Sequence, residues 1–125
     1  MYLPDQAREA ISRHEENCLP NEACGLVALD GEGELRFVYP LTNANPSPTS
    51  YTVDPDEHFG ALRHAEANGW VIGGAFHSHP ETDPFPSFAD VGAALEPEWV
   101  YLISSGEVLR GFRITRGVVT EVPLA

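Results

Sequence analysis

The stretch from Phe76 to Asp90, "FHSHPETDPFPSFAD", places two histidines on either side of a serine and then ends in Ser-x-x-Asp. Together with the apolar, glycine-containing run "WVIGGA" before it, its first residues read as a buried strand. Side chains two apart in a strand project from the same face, so His77 and His79 can reach one point while Ser78 turns away. "ETDPFP" supplies a turn stiffened by two prolines, and "SFADVGAALE" reads as a short helix beginning near Ser87. Asp90 then falls in its first turn, where the helix dipole favours an ionised carboxylate. Histidine is the commonest metal ligand and aspartate its usual carboxylate companion. Two neutral imidazoles and one carboxylate, with a fourth position open, form the ligand set of a catalytic zinc rather than a closed structural one. Singly, the parts say less: His-x-His is common, and Ser87-x-x-Asp90 matches a helix capping box. Their combined spacing is what marks a site.

Outward from this stretch, the pattern alternates helices and strands. "LPDQAREAISRHEENC" reads as a helix opened by Pro4, with Ala7, Ala10, Ile11 and His14 on one face. "ACGLVALDGEGELRFVYPL" reads as two strands about an Asp-Gly turn. "TNANPSPTS" is loop by composition. In "DPDEHFGALRHAEANG" Asp54 is the expected N-cap, Pro55 the first helical residue, Glu57 the partner in a capping box and Gly69 the stop. "WVYLISS", "VLRGFRIT" and "VVTEVPL" read as three further strands, the last two joined at Arg116-Gly117. The expected fold is α/β in the broad sense (α+β): one domain over residues 1–125, a central mixed sheet flanked by helices, with the histidines at the C-terminal end of a central strand.

Composition narrows the function classes. A chain of 125 residues that is 42% hydrophobic suits one folded domain with a single core. No run approaches the roughly 20 apolar residues of a membrane span, and the start carries no secretory signal pattern. A cytoplasmic protein, with no membrane partner, is expected. The 19 acidic residues face 7 arginines and no lysine, which disfavours nucleic acid as a partner because nothing forms a basic stripe. Cys18 and Cys24 are too few for a disulfide framework and are expected to be buried thiols.

His-Ser-His-Pro, a serine after seven intervening residues and an aspartate three places further on together resemble the JAMM motif of MPN-domain metalloproteases. That family also carries an upstream glutamate in a context like E-x-C-G, matched here by Glu22 in "PNEACGLV". The resemblance extends from the first helix to "FRITRGVVTEVP", and "LTNANPSPTSYTVDP" is similar to the small bacterial members that process ubiquitin-like sulfur carriers. It implies the MPN fold, which is cytidine-deaminase-like, and the catalytically active branch of the family.

Carried over by position, the resemblance implies that His77, His79 and Asp90 bind one zinc ion per chain, with water in the fourth place. Glu22 would be the general base and Ser87 the oxyanion donor. The implied substrate is a ubiquitin-like or sulfur-carrier protein cut after its C-terminal Gly-Gly. Iron, nickel or cobalt suits the same ligands. The loop from Pro80 to Pro86 lacks the long insertion with which eukaryotic relatives grip ubiquitin chains, and Thr42 to Asp54 is short. An open groove accepting a flexible tail as an added strand is therefore expected. His14, His58 and His64 are expected to be structural or surface residues, and Glu81 and Asp83 either solvated acids or modifiers of substrate choice.

Three alternatives bear on the same residues. A zinc deaminase needs His-x-Glu and Pro-Cys-x-x-Cys, whereas here the residue after His77-Ser78 is His79 and no Cys-x-x-Cys exists. A metal-stabilised assembly module without catalysis would have no need of Glu22 as a base, and a phage tail-assembly relative would be expected to carry a second peptidase domain, absent from these 125 residues. Oligomeric state is not legible.

Overall fold

The computed structural model describes residues 1–125. Its elements run α1 (Asp5–Cys18), β1 (Cys24–Leu29), β2 (Leu35–Leu41), α2 (Pro55–Ala67), β3 (Val71–Ser78), α3 (Phe88–Ala93), β4 (Val100–Ser105), β5 (Val108–Thr115) and β6 (Val118–Val122). The six strands form one sheet in the order β2-β1-β3-β4-β5-β6. Neighbours are antiparallel except β3 and β4, which are parallel. A parallel pair needs a crossover, and α3 lies within it. The C-terminal end of β3 therefore opens directly into the segment that carries Asp90, at the only parallel junction of the sheet.

Both faces of the sheet are covered, which is why β1, β3 and β4 read as nearly continuous apolar runs. Leu3, Ala7 and Ile11 pack from the α1 side on Val27, Phe76 and Leu102. Ala61 and Ala65 of α2 pack on the other face against Leu26, Ala28, Ala75 and Tyr101. The alternation continues to the strand end: Phe76 and Ser78 belong to the α1 face, whereas His77 follows Ala75 on the α2 face. The Ser78 hydroxyl accepts a hydrogen bond from the Ala23 N–H at 2.8 Å, tying the end of β3 to the residue beside Glu22.

Gly25 shows why β1 begins Cys-Gly. It pairs with Phe76 across the β1–β3 ladder. A Cβ there would lie 2.1 Å from the Phe76 ring and 2.2 Å from the Tyr39 carbonyl oxygen. Neither ring nor backbone has room to yield, so Gly25→Ala is expected to destabilise the fold by about 3 kcal/mol, read as a lower urea midpoint.

Several local expectations need correction. The β1–β2 connection is not a two-residue Asp-Gly turn but spans residues 30–34. The Asp30 carboxylate accepts from the backbone N–H groups of Glu32 and Glu34 at 2.9 and 3.0 Å, and the left-handed residue is Gly33 (φ 79°), not Gly31. A carboxylate that folds its own following backbone outcompetes the tighter turn. Asp54 does cap α2, accepting from the N–H groups of Asp56 and Glu57, but no capping box closes. The Glu57 carboxylate instead takes the Thr42 N–H at 2.6 Å and hydroxyl at 2.8 Å, fastening α2 to the end of β2. Of the α1 face, Ala7 and Ile11 are buried and Ala10 and His14 only half so; the third buried residue of the helix is Glu15. Its carboxylate accepts from the Ser104 hydroxyl and the Gly106 N–H. Cys24 is buried, but Cys18 is only half-buried, against the His14 ring. Arg116 (φ 51°) and Gly117 (φ 79°) form the expected left-handed turn between β5 and β6. No helix is long and apolar enough to cross a membrane.

Candidate active site

β3 delivers His77 and His79 to one side of the sheet, and α3 returns Asp90 to meet them. The His77 and His79 Nε2 atoms lie 3.1 and 3.0 Å from Asp90 Oδ2, and 3.1 Å from each other. Both histidines are buried, and Asp90 is half-buried. Asp90 is held by the full capping box foreseen as the simpler reading of Ser87-x-x-Asp90. The Ser87 N–H donates to Asp90 Oδ2 at 2.9 Å, and Ser87 Oγ accepts the Asp90 N–H at 3.0 Å. The motif serves both purposes: the cap fixes the carboxylate that faces the histidines.

Burial alone would raise the Asp90 carboxyl. The hydrogen bonds and charge of His77 and His79 outweigh it and hold the group well below the usual carboxylate range. His79 is raised, chiefly by its hydrogen bond to Asp90. Its Nδ1 lies 2.8 Å from the Asp83 carbonyl oxygen. That carbonyl only accepts, so Nδ1 carries a proton, and once the ring gives up its other proton the lone pair of Nε2 faces His77 and Asp90. Three electron-rich atoms converging within 4.8 Å call for a cation among them. The donor set fits a divalent metal, and a carbonyl behind a ligand histidine is the usual outer support. Tyr51 stacks on the His77 ring at 4.8 Å and closes its other side.

Glu22 lies on the residue pair that continues the β1–β3 ladder, since Cys24 faces His77 and Ser78 bonds to Ala23. It is 4% exposed, and its Oε1 has no hydrogen-bond partner. Buried carboxylates are normally bonded. Burial pushes Glu22 up to about 7, with the charge of His79 opposing and that of Asp90 adding. Folding therefore favours its protonated form, and the folded state holds more protons than the unfolded one. The metal-free protein is expected to lose stability as pH rises from 4.5 through about 7. The loss should reach about 2–3 kcal/mol, and Glu22→Gln should abolish it in urea titrations run below and above that window.

A groove of about 430 Å³ begins at His77 and Asp90. Ser50–Val53 form one wall, Pro86, Ala89, Ala93 and Ala94 the other, and Tyr101, Ile103 and Ile114 the floor. Val53 is bridged to Asn43, with Ala44 N–H bonded to the Thr52 carbonyl and Asp54 N–H to the Thr42 carbonyl. Thr52 and Asp54 thus face residues 42–44, and the backbone groups of Tyr51 and Val53 point the other way, without backbone partners. They form a short free strand edge.

The structure thus brings together His77, His79 and Asp90, with Glu22 near enough for their charges to act on it and Ser87 capping the helix that carries Asp90. His58 and His64 stand apart on α2, His64 bonded to the Tyr39 hydroxyl, and His14 lies against the Cys24 and Leu41 carbonyls. Sequence reading missed Tyr51 and Asn43, which "TNANPSPTSY" showed only as loop. It took Asp83 for its side chain, whereas its carbonyl is what reaches His79.

The architecture defines the class first. A JAB1/MPN domain protein from Archaeoglobus fulgidus superposes with a TM-score of 0.61, covering 94% of this chain and 92% of that one at 15% identity, so the fold is that of JAB1/MPN domains. A protein of solved structure from Desulfitobacterium hafniense, DSY2949, is 37% identical with a TM-score of 0.89, over 99% of this chain and 90% of that one. Within that class, the chain belongs to the prokaryotic homologues of the JAB domain, whose family model matches residues 4–115. It is 36% identical to the CysO-cysteine peptidase of Mycobacterium tuberculosis, over 92% of this chain and 83% of that protein. It is 36% identical to a desampylase of Haloferax volcanii, over 84% and 80% of the two chains. It is 33% identical to a probable TtuB-protein conjugate cleaving protease of Thermus thermophilus, over 94% and 78%.

Proposed function

We propose that this protein is a zinc-dependent peptidase or isopeptidase that cuts after the C-terminal Gly-Gly of a ubiquitin-like sulfur-carrier protein. The observation that carries the reading is Glu22: a buried carboxylate with a free oxygen, beside three converging metal-ligand atoms. A fold gains nothing from such a group, whereas a general base needs one. The names of the relatives, one a peptidase and another a conjugate-cleaving protease, support the same substrate class.

In this reading His77, His79 and Asp90 hold one zinc ion. A zinc ion held by them would supply Lewis-acid polarisation of the scissile carbonyl and would lower the pKa of the attacking water to about 7. Glu22 takes the proton from the attacking water and returns it to the departing nitrogen. Desolvation keeps its basicity high enough for the first step, and the acid so formed serves the second. Ser87 Oγ already accepts the Asp90 N–H, so its own proton is free to donate to the oxyanion that develops on the substrate carbonyl. The tail lies along the free edge at Tyr51 and Val53, held by backbone hydrogen bonds as an added strand. Pro86, Ala89 and Ala93 line the opposite side.

The test is a fusion of the host's sulfur-carrier protein with a short peptide after its Gly-Gly tail, its products weighed by mass spectrometry. A single cut after Gly-Gly is expected. Replacing the last glycine by leucine should lower kcat/KM at least about tenfold, the order of one misfitting side chain in a shaped pocket. Cutting elsewhere, or indifference to that glycine, would refute the substrate class.

A further inference from the structure

We propose that Asn43 is a positioning residue that fixes Glu22 and the Tyr51 wall of the groove to each other as one unit. The proposal rests on the reading of Glu22 as the base. Asn43 is 7% exposed and lies outside every helix and strand, in a chain whose other loop asparagines are on the surface or half-buried. Its amide uses its full hydrogen-bonding capacity. Nδ2 donates to the Glu22 carbonyl at 3.2 Å and to the Ser50 carbonyl at 3.1 Å. Oδ1 accepts the N–H of Asn45 at 3.1 Å and of Thr52 at 3.0 Å. One side chain thus holds the residue bearing the base and both residues flanking Tyr51.

A second tie closes the unit: the Glu22 N–H donates to the Ser47 carbonyl at 2.7 Å. Both backbone groups of Glu22 are therefore claimed by the 43–50 segment rather than by the sheet. The ladder to β3 begins two residues later, at Cys24. The next residue, Ala23, is tied to Ser78 by hydrogen bonds of 2.8 and 3.0 Å, while the Glu22 carboxylate itself has a free oxygen. Its aim therefore comes from its backbone, whose own N–H and carbonyl are held by Ser47 and Asn43 and whose neighbour Ala23 is held by Ser78. The metal ligands stand on β3 and α3, which Asn43 does not touch. The residue therefore acts on the base and the tail-binding edge, and meets the ligands only through the Tyr51 ring stacked on His77.

Asn43→Asp isolates this role, since it keeps both acceptor bonds and loses both donor bonds. With the full-length zinc-loaded protein and the carrier fusion, kcat is expected to fall at least about tenfold, because displacements near 1 Å in a reacting group cost up to about 10²-fold. Zinc affinity, measured by competition with a chromophoric chelator, should stay within about twofold, whereas second-shell partners of the ligands themselves are worth 10–100-fold. In the metal-free protein, hydrogen exchange at the Glu22 amide should accelerate while that of Phe76 and Leu102 is unchanged. Asn43→Ser provides the same three readings should the aspartate variant fail to fold. Wild-type kcat, or a Glu22 amide protected as before, would overturn the proposal. So would a zinc affinity falling in step with kcat, which would make Asn43 a general support of the fold. If the wild type binds zinc but cuts nothing, the reading of Glu22 as base falls, and the exchange measurement still decides whether Asn43 holds it.

Discussion

Glu22→Gln is expected to lower turnover of the carrier fusion by about 10³-fold, within the 10²–10⁴ that a positioned acid–base group supplies. The same substitution should leave zinc binding intact and raise stability at neutral pH. The two effects have one cause. The wild-type carboxylate is 4% exposed, with one oxygen unbonded, and burial pushes it up to about 7. Glutamine has nearly the same shape and no charge to desolvate, so the fold is relieved of the penalty of ionising a buried acid. A residue that weakens the fold where it stands, and whose removal weakens only catalysis, is the signature of a site kept for function. Parallel measurements of kcat and of the urea midpoint at neutral pH would check both arms. Unchanged turnover would remove Glu22 from the role of general base.

His79→Ala is expected to weaken zinc binding by about 10²–10³-fold and to remove activity at stoichiometric zinc. Zinc binding at four-ligand structural sites, about 10–16 kcal/mol, averages about 2.5–4 kcal/mol per ligand, and 1.4 kcal/mol is a factor of ten. His79 should bear at least its share, because its ring is already oriented by the Asp83 carbonyl at 2.8 Å. Asp90→Ala should be worse for the fold, since the same carboxylate closes the capping box of α3 and its Oδ2 accepts the Ser87 N–H. A six-residue helix with no fully buried residue has beyond this only the packing of Val91 and the adjoining Ala94 on the core to hold it. Isothermal titration would show the difference: His79→Ala remains folded and binds weakly, whereas Asp90→Ala also loses the order of α3.

Much of the fold was legible because its signals are local. The apolar runs of β1, β3 and β4 follow from burial on both faces, and the α2 ends from Asp54, Pro55 and Gly69. The convergence of His77 and His79 follows from strand periodicity, and that of Asp90 from the short crossover that a parallel pair demands. What failed were contests between partners distant in sequence. Glu57 was read as a cap because its neighbours in sequence invite it, but Thr42 offers two donors instead. Glu15 carries no signal in the sequence, and only the fold brings Ser104 of β4 and the following Gly106 against it. Asn43 sits in a segment with no periodicity, and only the folded chain reveals that four backbone groups depend on it. Glu22 stood out through resemblance alone; its burial and its free oxygen have no counterpart in the spacing of residues.

The most direct measurement is a zinc titration of the metal-free protein, following cleavage of the carrier fusion. Activity absent at the start, rising in proportion to zinc and levelling at one equivalent per chain, is the expected result. Full cleavage without metal would contradict the account, and so would one equivalent of tightly bound zinc with no cleavage of any Gly-Gly tail presented to it.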